Sequence, residues 1–177
     1  MKGNSEQLDL FLESSAEFSL CRIWRYSLIR RWKSGSRLLM FVGLNPSTAD
    51  EFKNDPTVRR VMGFARQWKY DGLVMMNIFA YRATDPKVMK TVVDPVGPEN
   101  DAWLLKMAGA TIMQGCPIIA GWGAHGVHLR RDSVVIELLS EFDLYCLGKT
   151  KGGYPKHPLY LRSDTTIGMF SSKGKVV

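Results

Sequence analysis

The side chains of this chain that could do chemistry stand just after short apolar runs: Asn45 in VGLNPSTAD, Asn77 closing LVMMN, His125 in WGAHG and His157 in KHPLYL. A side-chain amide offers both a donor and an acceptor, and a neutral imidazole donates from one ring nitrogen while accepting at the other. If the apolar runs are parallel strands, these residues share the carboxyl edge of the sheet, where ligands bind in open α/β folds. Each also has a plain structural role open to it. Gly43 gives the backbone room, Asn45 and Pro46 make a turn, Ser47 or Thr48 caps a helix, and Asn77 and His157 bond to nearby backbone.

Other chemistries lack their sequence signal. No G-x-G-x-x-G follows a strand and no G-x-x-x-x-G-K-[ST] is present, which sets aside dinucleotide and P-loop binding. His125 and His128 have a spacing compatible with two metal ligands, but no carboxylate accompanies them and no metal or other cofactor is expected. A Ser-His-Asp triad built on Ser47 and His157 has no nucleophile elbow behind it. Cys21, Cys116 and Cys146 are widely spaced in apolar stretches and read as buried free thiols.

The elements that position these residues follow from periodicity and breakers. Leu38 to Val42 is a short, continuously apolar run and reads as a strand buried on both faces. Asp55 and Pro56 start a helix as N-cap and first residue, with Val58, Val61, Met62, Ala65 and Trp68 on its inner face. Residues 73 to 81 form a second strand, and 87 to 96 a loop or broken helix. Gly97 to Asp101 lead into an amphipathic helix through Ala108. Residues 116 to 122 are a third strand, a helix runs from about Val127 to Leu139, and 144 to 148 form a fourth strand. Strands alternating with helices imply a mostly parallel sheet with right-handed crossovers. The stretch from Phe18 to Trp32 alternates aromatics with arginine and reads as an exposed hairpin or edge strand; residues 1 to 15 read as a loose arm or brief helix.

With 177 residues and 45% hydrophobic content the chain forms one domain, 1–177, with a real core. It shows no run of eighteen apolar residues and no signal-peptide centre, so no membrane association is expected and a cytoplasmic location is. The net charge of +7, from 24 Lys+Arg against 17 Asp+Glu, favours a polyanionic partner.

The motifs, taken in order, resemble those of the uracil-DNA glycosylase superfamily. Gly43-Leu-Asn-Pro46 is similar to its first motif, Gly-x-Asp-Pro or Gly-x-Asn-Pro; Val74-Met-Met-Asn77 to its second strand; Ile119-Ala-Gly-Trp-Gly123 to its third; and His157-Pro158 to the start of its last motif, His-Pro-Ser-Pro. The resemblance covers residues 38 to 162. More closely, NPSTAD, DPT, WGAHG and HPLYL resemble a bacterial and phage family labelled as a domain of unknown function (DUF1643-like), which brings no activity with it.

The distant resemblance implies a three-layer α/β/α fold with a central four-stranded, mostly parallel, glycosylase-like sheet, plus the N-terminal hairpin or edge strand. It implies hydrolysis of an N-glycosidic bond on a modified or mismatched pyrimidine flipped out of DNA, single- or double-stranded, by a monomer. In that scheme Asn45 positions water, His157 donates to the departing base and Asn77 reads its edge. Gly43, Pro46 and Ser47 shape the pocket, while Phe52, with Phe79 behind it, stacks on the base. Lys149, Lys151 and Lys156 face DNA, and Leu159 or Tyr160 fills the vacated stack. Ser47 stands where the uracil-specific branch has tyrosine, which opens the pocket to 5-substituted pyrimidines. A binding module without turnover and an enzyme of free nucleosides or nucleotides are the alternative readings.

Overall fold

The computed structural model describes residues 11–174. Its centre is set by four apolar runs that become strands: β3 (Leu38–Gly43), β4 (Gly72–Asn77), β5 (Ile118–Ala120) and β6 (Leu144–Cys146). They pair in parallel in the spatial order β4-β3-β5-β6, so their carboxyl ends share one edge.

The sheet is larger and more mixed than the sequence implies. β1 (Glu13–Phe18) and β2 (Arg25–Arg31) form an antiparallel hairpin, and β2 also pairs antiparallel with β4; β7 (Gly168–Ser171) pairs antiparallel with β6. The result is a seven-stranded mixed sheet, order β1-β2-β4-β3-β5-β6-β7, which corrects the expected four-stranded glycosylase-like sheet while keeping the α/β class. β2 is therefore an interior strand, with Arg25 through Leu28 and Arg30 all buried, and β1 is the edge. Residues 13–15 of the expected N-terminal arm belong to β1, and residues 1–10 lie outside the described residues.

Strand alternation sorts the core onto two faces. Leu39, Phe41, Leu73, Met75 and Ile119 pack against Val58, Val61, Met62, Phe64 and Ala65 of α1 (Pro56–Gln67). Met40, Val42, Val74, Met76, Ile118 and Ala120 pack against Leu104 and Ala108 of α3 (Asn100–Met113) and Val135 of α4 (Arg131–Leu138). Each such aliphatic side chain taken out of water stabilises the fold by about 1.5–3 kcal/mol before entropy is counted. The loop or broken helix expected at 87–96 is a single turn, α2 (Pro86–Met89), capped by Asp85 and followed by loop.

The expected helix from Val127 to Leu139 is divided. Ala124–Arg130 is a 3-10 stretch, and Leu129 and Arg130 both have left-handed φ, 55° and 54°, which interrupts the hydrogen-bond ladder before α4. Arg131 is buried at the start of α4, where its Nε donates to the Ile78 carbonyl and its guanidinium pairs with Asp101. Of the three cysteines, Cys116 and Cys146 are buried, whereas Cys21 is exposed in the β1–β2 connection. Among the described residues no helix is long and apolar enough to cross a membrane.

Candidate functional site

A cavity of about 790 Å³ opens at the carboxyl edge of the parallel strands, against the N-terminal turn of α1. Asn45 from the loop after β3, Asn77 from the end of β4, Trp122 and Gly123 after β5, and His157 from the long loop after β6 all line it. Parallel topology alone brings these distant residues to one place.

The floor is built around Asn77, which is 4% exposed. Its Oδ1 accepts from an NH₂ group of Arg25 at 3.1 Å, and another NH₂ group of Arg25 donates to the Ala49 carbonyl at 2.9 Å. Because the guanidinium holds Oδ1, the amide orientation is fixed, and the Nδ2 donors have no partner among the described residues. Asn77 is thus presented chiefly as a donor. Gly43 sits beside it in register: a Cβ there would lie 2.9 Å from Nδ2 of Asn77, so only glycine leaves the amide its place.

Arg25 is 2% exposed and has no carboxylate within ion-pair distance among the described residues. Burial holds its guanidinium down at about 10, with Asp55 pulling the other way. A second buried guanidinium of β2, Arg30, binds Asn54 Oδ1 at 2.8 Å and the Asp50 carbonyl, so β2 clamps the whole 49–54 loop. The neighbouring loops are braced by Asn45. Its Nδ2 donates to the carbonyls of Ala83 at 2.7 Å and Pro46 at 3.0 Å, and Oδ1 receives no hydrogen bond from the described residues.

Asp55 is the one carboxylate that lines the cavity among the described residues, and it is 6% exposed. Its Oδ1 caps α1 by accepting from the Val58 N–H at 2.8 Å, while Oδ2 accepts no hydrogen bond from the described residues. The sequence marks Asp55 as an N-cap, which it is; nothing in the spacing reveals that the cap also faces the site. His157 accepts weakly from the Leu159 N–H through Nδ1 at 3.4 Å, which puts the proton of a neutral imidazole on Nε2. Burial lowers the His157 pKa from its ordinary value, opposed by the attraction of Asp55.

Of the other residues singled out in the sequence, Gly43, Ser47, Lys156, Leu159 and Tyr160 line the cavity. Pro46 does not; it is buried behind the rim, where its carbonyl accepts from Asn45 and from the Ala83 N–H. Phe52 is 95% exposed and off the cavity, because the bend at Asp50 turns it to solvent. Phe79 is fully buried in the core on the α3 and α4 side, against the His128 ring at 5.7 Å. Lys149 is held at the Phe170 carbonyl and ring, and Lys151 is exposed on a turn and does not line the cavity. The aromatic side chains that do line the site are Trp122 and Tyr160. His125 also reaches the rim, with Nδ1 3.1 Å from the Lys90 ammonium. No group of three or more His, Cys, Asp or Glu side chains is arranged to hold a metal among the described residues.

The model of the family described as "Protein of unknown function (DUF1643)" matches residues 25–159, most of the chain. The chain belongs to that family. The matched span starts at Arg25 and takes in Asn45, Asp55, Asn77 and His157, so the whole clamped floor of the cavity is inside it. No match is found among the curated proteins or the solved structures.

Proposed function

We propose that the protein is a DNA-base-processing hydrolase that cleaves the N-glycosidic bond of a modified or mismatched pyrimidine turned into the cavity. The observation that supports this reading is the convergence of Asn45 from the loop after β3, Asn77 from the end of β4 and His157 from the loop after β6 on one cavity. The finer part of the reading rests on the likeness of their motifs to the uracil-DNA glycosylase superfamily, and a bacterial or phage source goes with it.

Cleavage puts positive charge on the sugar and negative charge on the departing base, so donors aimed at the base contribute most. In this scheme Nε2–H of His157 and Nδ2–H of Asn77 donate to pyrimidine oxygens as the C1′–N bond breaks and its electron pair leaves with the base. Water attacks C1′ while Oδ1 of Asn45 accepts one of its hydrogens. An amide orients water but takes no proton; Oδ2 of Asp55 takes it. Ser47 leaves room for a substituent on carbon 5 of the base.

The test is a base-release assay on oligonucleotides carrying uracil, mismatched thymine or 5-hydroxymethyluracil. The expected result is release of at least one of these bases, reduced about 10²-fold or more in Asn77→Ala and His157→Ala. Release of none overturns the reading. One observation favours a second reading: the donors of Asn45 are committed to backbone carbonyls, as in a brace. In that reading the protein binds a base within nucleic acid without cleaving it, and salt-dependent binding without release selects it.

A further inference from the structure

We propose that the open groove beside the cavity, lined by Arg22, Ser47, Thr48, Tyr81, Arg82 and Thr84, is a phosphate subsite for the nucleotide whose base occupies the cavity. The inference rests on reading the cavity as a base pocket. The groove has a volume of about 530 Å³ and shares Ser47, Ala83 and Thr84 with the cavity wall. A base seated in the cavity therefore leads its sugar out across that wall and its phosphate into the groove.

The groove has the donors a phosphate needs. Ser47, Thr48 and Thr84 each bring a hydroxyl, and the only contact between them, Ser47 Oγ to Thr84 Oγ1 at 3.4 Å, is long. Arg22 and Arg82 lie over the ring of Phe18, at 4.0 and 4.9 Å, which fixes two guanidiniums near one another. Arg22 is offset by a two-pronged pair with Glu51, both contacts at 2.9 Å. Arg82 has no such partner among the described residues: one NH₂ donates to the Arg22 carbonyl at 3.2 Å, and its Nε is shielded from solvent with no hydrogen-bond partner. Glu51 and Asp50 both act on Arg22, so Arg82, which has no ion-pair partner among the described residues, is the guanidinium left to meet an anion, and the planar fork of arginine suits phosphate oxygens. None of Lys149, Lys151 and Lys156, the lysines the sequence assigned to DNA, lines this groove, although Lys156 lines the adjoining cavity.

The phosphate belongs to a strand or to a free nucleotide, and the probes separate the two: a short single-stranded DNA oligonucleotide, thymidine 5′-monophosphate, and thymidine. Affinities are measured across salt concentrations for the parent, Arg82→Gln, Arg82→Lys, Thr84→Val and a distant control, Lys106→Gln on α3. Arg82→Gln is expected to weaken the oligonucleotide roughly tenfold and to reduce the salt slope by about 0.7 to 1. Arg82→Lys keeps the slope with a smaller loss, Thr84→Val weakens binding severalfold, and Lys106→Gln changes neither. A parallel loss for the monophosphate but not for thymidine extends the subsite to free nucleotides; a loss for the oligonucleotide alone assigns it to strand backbone. Parental affinity and slope in both Arg82→Gln and Thr84→Val overturn the inference. If base release persists in that case, the reaction stands and the subsite falls. Binding that depends on Arg82 with no base released leaves the subsite and removes the reaction. A parent that binds none of the probes overturns both.

Discussion

A methyl group added at Gly43 puts the geometry of the cavity floor to the test. It would lie 2.9 Å from Nδ2 of Asn77, whereas non-bonded heavy atoms settle at about 3.5 Å or more, so roughly half an ångström must be found. Asn77 cannot give it freely, because it is 4% exposed and its Oδ1 is held by Arg25 at 3.1 Å. Rotating the amide away breaks a hydrogen bond to a charged donor, a loss of about 1.5–3 kcal/mol. Parting the ends of β3 and β4 instead brings an overpacking cost of about 1–3 kcal/mol. By either route Gly43→Ala is expected to lower stability by about 1–3 kcal/mol and to weaken base binding. The same change at Gly63, inside α1 where the added methyl meets nothing within 4 Å beyond its chain neighbours and the backbone of its own helix, is expected to raise stability by about 0.5–1 kcal/mol. Urea unfolding of the parent and both variants reads the two opposite signs. A Gly43→Ala protein as stable as the parent, with unaltered binding, would refute the reasoning, since Asn77 would then not be pressed against the end of β3.

Asp55 separates capping from chemistry. Asp55→Asn keeps an acceptor for the Val58 N–H and loses the charge near Arg25 and the start of α1, about 0.3–1 kcal/mol, whereas Asp55→Ala also loses the cap, about 1 kcal/mol more. Base release should fall about 10²–10⁴-fold in both, and full release by Asp55→Asn would remove the residue from the proposed reaction. Titration of His157 followed by NMR should give a midpoint below the ordinary 6.5, and Asp55→Asn should lower it further by removing the carboxylate's attraction; a rise on that substitution contradicts the proximity of the two groups. Because the folded imidazole holds its proton less tightly than the unfolded chain does, its contribution to stability is full above pH 6.5 and is lost as pH falls through the folded midpoint.

The central strands were legible because a strand buried on both faces must be apolar at every position, and breakers such as Gly43 and Gly72 bound it. β2 was legible only as a strand, not as an interior one. Its arginines suggest solvent, yet Arg25 and Arg30 turn onto carbonyls of the 49–54 loop, a destination that no local pattern encodes. β7 carries no strand signal in the sequence, because Gly168–Ser171 is short and only half apolar. Asn45, Asn77 and His157 are legible from their positions after apolar runs, whereas the sequence marks Asp55 only as a helix cap. Phe79, two residues from Asn77, would share its face if β4 continued. The strand ends at Asn77, and the chain then turns Phe79 into the opposite core.

Since β2 joins the sheet against β4, Arg25 is synthesised long before the strand that receives it. Until residues 72–77 follow, the Arg25 guanidinium lacks the Asn77 amide that it holds in the fold, although its other partner, the Ala49 carbonyl, and the partners of Arg30 in the 49–54 segment come earlier in the chain. The far wall comes later still, with Trp122 and Gly123 after β5 and His157 after β6, so a chain stopped short of β4 holds none of Asn77, Trp122 or His157.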